Sequence, residues 1–125
     1  MNLPLEIRVI EKFFKKERQD RYIGFISSDK NRQKFIRELS HLRDLQWNLF
    51  EEVSSFELGQ IENQKFKKCC YVISEDASVD QTFIDFSEIN KLTDSGNAFI
   101  LVFGESEQLY YEGEPPFNRY MSKKR

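Results

Sequence analysis

The chain has 125 residues, 39% hydrophobic and 32% charged, with twelve phenylalanines, two cysteines, one histidine and a formal net charge of −2. That is the size and apolar content of one domain over 1–125, and it excludes a disordered chain. Cys69 and Cys70 are adjacent and so point to opposite faces of an extended strand, which with a lone histidine excludes a disulfide framework and a structural zinc site.

Leu3, Ile7, Ile10 and Phe14 recur at helical spacing behind Pro4 and predict a helix over 4–17. "RYIGFIS" adds a second over 20–27, weakened by Gly24. Ser27, Ser28 and Asp29 offer caps for a third over 30–42, where Phe35, Ile36, Leu39 and Leu42 repeat. "DLQWNLFEEV" keeps the helical period through Leu45, Leu49 and Phe50, so a further helical turn is expected there, followed by a polar linker over 54–68. Beyond Lys68 the texture turns to β: "CCYVIS" (69–74) and "AFILVF" (98–103) read as strands, the second apolar on both faces like a covered central strand. Between them lie a brief strand at 82–84 and a short helix over 86–94, with Asp85 as cap, Phe86, Ile89 and Leu92 as its buried side and Gly96 as its stop. "GESE" turns 98–103 into a hairpin with 108–112, and "NRYMS" supplies a last strand over 118–122. The expected fold is α+β, with N-terminal helices packed on a small, mostly antiparallel C-terminal sheet.

Charge is unevenly placed. Residues 1–43 carry eleven Lys or Arg against six Asp or Glu, a net of +5, and residues 69–118 carry one Lys against ten acids, a net of −9. Lys12, Lys15, Lys16, Arg18, Arg21, Lys30, Arg32, Lys34 and Arg37 are candidates for a face that neutralises nucleic-acid phosphates, although Glu11, Glu17, Asp20 and Glu38 dilute it. The basic helices have two other acidic surfaces to meet, that of the same chain's C-terminal half and that of a second copy in a symmetric homodimer.

Catalytic signatures are absent. No Gly-x-Ser-x-Gly, Gly-x-Gly-x-x-Gly or phosphate-loop pattern occurs. His41 with Asp44 three residues on forms a histidine–acid pair, but no nucleophile is tied to it. Glu75, Asp76, Asp80 and Asp85 cluster after a strand, as carboxylates that hold a divalent cation do, and with Glu112 they make the case for a metal-dependent enzyme. "AFILVF" lacks the glutamate and the lysine two residues later that a restriction-type nuclease needs, so a solvated loop and a helix cap account for the acids. No cofactor or metal is implied, and the reading leans away from an enzyme.

"YYEGEPPFNRY", Tyr110 to Tyr120, is the segment richest in recognition-type residues. On a strand, Leu109 and Tyr111 point one way and Tyr110 and Glu112 the other, so one tyrosine joins the core and its neighbour lies on the outer face; Gly113 turns the chain, Pro115 and Pro116 block further pairing, and Arg119 returns toward Glu112 or Glu114. That reading needs no ligand and is preferred. Should Tyr110 and Glu114 face solvent with Arg119 unpaired, then Tyr110, Glu112, Glu114 and Arg119 form a candidate binding surface. Together with "YVISED" and "AFILVFGES", this segment resembles a group of small bacterial proteins marked by Tyr-Glu-Gly-Glu and a downstream Arg-Tyr, here Tyr111 to Glu114, Arg119 and Tyr120. That group has no established activity, so the likeness implies a single domain and a bacterial cytoplasmic setting and carries over no catalytic residue. The opening residues, without the basic and apolar regions of a signal peptide, agree with that setting, as does the lack of any run of roughly 18 apolar residues.

The functional expectation is a non-enzymatic protein-binding module. Its concrete version, by analogy of fold, is a toxin-neutralising immunity protein that uses the acidic end of the sheet. Nucleic-acid binding through the basic helices is the alternative.

Overall fold

The computed structural model describes residues 2–57, 68–93, 95–114 and 119–123. The fold is α+β. Helices α1 (Leu3–Phe13), α2 (Gln19–Ile26) and α3 (Asp29–Glu38) are followed by strands β1 (Phe50–Glu52), β2 (Cys69–Ser74) and β3 (Thr82–Asp85), the short helix α4 (Ile89–Thr93), and strands β4 (Phe99–Phe103), β5 (Gln108–Glu112) and β6 (Arg119–Ser122). The strands form one antiparallel sheet in the order β1-β6-β5-β4-β2-β3. β4, the run apolar on both faces, lies inside the sheet and is buried along its whole length.

Local chemistry sets the helix bounds. Asn2 caps α1 by accepting from the Leu5 amide at 3.2 Å, and Pro4 needs no donor in the first turn. α1 stops at Phe13, short of the expected 17, because Phe14 turns extended and bridges to Leu45. The Ser28 side chain caps α3 at Asn31 N, and α3 gives way after Glu38 to a 3₁₀ turn over Leu39–His41, with Leu42 already extended. "DLQWNLFEEV" departs most from expectation: it makes a 3₁₀ turn at Trp47–Leu49 and then edge strand β1, paired with β6. Asp85 stands at the capping position before a 3₁₀ turn over Phe86–Glu88, but its side chain makes no capping bond. Of the expected linker over 54–68, residues 58–67 lie outside the described residues, as do Pro115, Pro116 and Asn118, and Asp94 at the end of the short helix.

Both faces of the sheet are covered. On one, Tyr71, Ile73, Ile100, Val102, Leu109 and Tyr111 pack against Val9, Ile10, Phe13, Phe14, Tyr22, Phe35 and Leu39 of the helical layer. That layer is organised by edge-to-face contacts among Phe14, Tyr22 and Phe35, with ring centres 4.8 to 6.1 Å apart, each adding about 1 kcal/mol beyond burial. On the other, Cys70, Val72, Ile84, Phe99, Leu101, Phe103 and Tyr110 cluster with Ile89 and Leu92 of α4, with Val53, Phe56 and Phe86 against them. Tyr110 therefore does not lie on an outer face: a second layer buries it as fully as the helices bury Tyr111.

The charge halves meet within the chain. Arg8 pairs with Glu105 at 2.5 Å and Lys12 Nζ donates to Ser106 O at 2.7 Å. The deepest pairing joins α1, α3 and the turn before β3. Arg32 Nη1 donates to Glu6 Oε1 at 2.5 Å, and Arg32 Nε and Nη2 grip Asp80 at 3.0 and 2.9 Å. The side chains of Glu6, Arg32 and Asp80 are 1%, 5% and 14% exposed. Tyr71 donates to the second oxygen of Glu6 at 2.6 Å, and burial followed by that bond pushes its hydroxyl pKa up. Burial alone would lower the Arg32 pKa, but Asp80 and Glu6 outweigh it and hold the pKa above the usual value.

Candidate functional site

The Tyr110–Tyr120 segment is structural where it is described. Tyr110 and Glu112 are buried and bonded to one another at 2.6 Å, so neither presents a surface. Arg119 is not free, since its Nε donates to Glu112 at 2.9 Å and its Nη1 to Ser54 O at 2.8 Å. Only Glu114 stands exposed, 3.0 Å from His41 Nε2. Gly113 is required for closeness rather than for a turn: a Cβ there would lie 2.8 Å from the Tyr111 hydroxyl and 3.0 Å from Ser40 O. That hydroxyl donates to Leu39 O and accepts from Leu42 N at 3.1 Å, tying β5 to the end of α3; burial pushes its pKa up to about 12. The four residues grouped from sequence thus do not make a recognition face.

The acidic cluster is dispersed in the same way. Glu75 accepts from Ala98 N at 2.6 Å, Asp76 from the Ser78 amide and hydroxyl, and Asp80 from Arg32 and Ser74 N. The Ser78 bonds hold the Asp76 carboxyl below its usual range. Among the described residues no three His, Cys, Asp or Glu side chains converge as a metal set.

Where the helical layer ends, the charges do converge. Arg18 just before α2, Arg21 in its first turn, Arg37 and Glu38 from the end of α3, His41 from the 3₁₀ turn behind it, and Arg43 and Asp44 from the segment that follows line an open cleft of about 420 Å³. The geometry follows from the chain path. The short 3₁₀ turn after α3 throws His41 to Asp44 back alongside α2, and Lys15 N bonds Asp44 O at 2.7 Å to hold them there. Behind the two acids is Tyr22, whose buried hydroxyl lies 2.6 Å from Asp44 Oδ2 and 2.9 Å from Glu38 Oε1; burial first, then these two acids, push its pKa up.

Both carboxylates are occupied from within. Arg21 is 3.3 Å from Glu38 and 3.9 Å from Asp44, Arg18 is 3.9 Å from Asp44, and the Arg21 guanidinium also stacks 5.1 Å from the Phe25 ring. Arg37 and Arg43 carry no ion pair among the described residues, and both are exposed. Four guanidinium groups against two carboxylates leave a local charge of +2 in a chain whose net charge is −2. Guanidinium is an always-protonated, fork-shaped donor, so these four side chains suit an anion and are not themselves general bases.

Sequence reasoning named Arg18, Arg21 and Arg37 within a broader basic set, while the structure sends Arg32 of that set into the core. Arg43 was missed, and Asp44 was paired with His41, which turns to Glu114 instead. The signal for the cleft was weak: Arg18 with Arg21 and Arg37 with His41 stand at helical spacings, but the fold alone brings the two pairs together. No helix among the described residues is long and apolar enough to cross a membrane. No family model, curated protein or solved structure matches the chain.

Proposed function

We propose that the chain is a non-enzymatic protein-binding module that engages a short anionic segment of a partner protein through the arginine cleft. The observation that carries this reading is the convergence of Arg18, Arg21, Arg37 and Arg43 on one open cleft holding only two carboxylates. Two of these arginines are held by Glu38 and Asp44, which reduces the entropy lost on binding; the other two offer unpaired forks.

A compact site suits a short motif. A long nucleic-acid backbone needs a continuous basic track beyond the cleft, whereas on the neighbouring helices Lys15, Lys16 and Lys34 are interleaved with Glu11, Glu17 and Asp20, and Arg8 and Arg32 are already paired. The free thiols of Cys69 and Cys70 support a cytoplasmic setting.

The test is competition in fluorescence anisotropy between a labelled Glu- and Asp-rich peptide and a single-stranded oligonucleotide of equal charge. The module should bind the peptide in a salt-sensitive way and prefer it. Tighter binding of the oligonucleotide, or no binding of either, overturns the proposal.

A further inference from the structure

Resting on that reading of the cleft, we infer that the group it recognises is a phosphate monoester on a partner's side chain, a phosphorylated serine, threonine or tyrosine.

Charge is the first reason. Arg37 and Arg43, which have no ion pair among the described residues, bring +2, close in size to the charge of about −1.5 to −2 of a phosphorylated side chain at neutral pH, whereas one carboxylate supplies −1. Donor geometry is the second: the unpaired Arg37 and Arg43 each present a planar fork, and a phosphate has three terminal oxygens to fill two forks, where a carboxylate has two and fills one.

A phospholipid headgroup shares this chemistry, but a membrane surface also calls for apolar side chains beside the site. The one exposed large hydrophobic among the described residues, Phe83, is on β3 and does not line the cleft.

Anisotropy with three degenerate peptide libraries, each with one fixed phosphorylated residue, tests the inference beside their dephosphorylated and Glu-substituted counterparts, inorganic phosphate and anionic vesicles. At least one phosphorylated library should bind about ten-fold or more tighter than its Glu counterpart, the worth of one added charge-assisted hydrogen bond. Arg37→Lys/Arg43→Lys, which keeps the charge and removes the forks, should abolish most of that preference without changing the melting temperature. Equal affinity for phosphorylated and Glu libraries overturns the inference while leaving the proposed function standing. Failure of every peptide overturns both. Inorganic phosphate competing at the same concentration as peptide, or tighter binding to vesicles, overturns the phosphopeptide source.

Discussion

Replacing Arg32 by methionine removes the cation that three elements share while roughly keeping the volume. Glu6 then retains only the Tyr71 hydroxyl, at 2.6 Å, and Asp80 the Ser74 amide, at 3.0 Å, as described partners. Glu6 is 1% exposed and cannot recover solvation by a rotamer change. Breaking a buried pair from one side costs about 3 to 5 kcal/mol, because the surviving carboxylates stay desolvated and uncompensated. Against a total stability of about 5 to 15 kcal/mol, that moves a urea midpoint down by about 2 M. Trp47, packed on Tyr111 and Tyr120, is the only tryptophan and reports the transition by fluorescence. Glu6→Gln/Arg32→Met/Asp80→Asn, which removes every charge of the triad, should regain more than half of the loss. A cost below about 1 kcal/mol for Arg32→Met would refute the buried triad as a tie between the helices and the sheet.

Three further outcomes are expected. Gly113→Ala should lower stability by about 1 to 3 kcal/mol in thermal melts, because the Tyr111 hydroxyl that its Cβ meets is fixed by Leu39 and Leu42; an unchanged melt would show that the β5–α3 junction is loose. Gln81→Gly should raise stability by about 1 kcal/mol, since Gln81 sits at φ 65° and its buried Nε2 has no hydrogen-bond partner among the described residues; a destabilised variant would contradict this. In alkaline titration followed at 295 nm, Tyr22, Tyr71, Tyr110 and Tyr111, all raised above the ordinary value of 10.0 by burial first, should ionise only as the fold opens. A folded pKa above the unfolded one gives stability that is intact below pH 10 and lost as pH rises, for Tyr111 through about 12. Gradual ionisation of these tyrosines near pH 10 without unfolding would overturn their assignment to the core.

Local patterns carried the helices and the inner strands, because each answers to its own periodicity: β4 reads as apolar on both faces, and so it is. β1 escaped because three residues are too short for an alternation, and Leu45, Leu49 and Phe50 happen to keep a helical period. The burial of Tyr110 escaped for another reason. Its ring is met by Phe56, from the segment after β1, which the strand's own pattern does not mention. Asp80 looked like loop trim because its partner Arg32 is 48 residues away. The cleft was the least legible part. Its arginines were visible one by one, but only the reversal of the chain after α3 makes them neighbours.

The central claim, that this cleft is an anion-recognising binding surface, meets its most direct test in one titration: the acidic peptide against the native chain and against Arg37→Ala/Arg43→Ala. Neither side chain has an ion pair among the described residues, so the fold should melt unchanged. The account predicts about a ten-fold or greater loss of affinity in the variant, with the remaining binding less sensitive to salt. Equal affinity of the two proteins at the same salt concentration would contradict it.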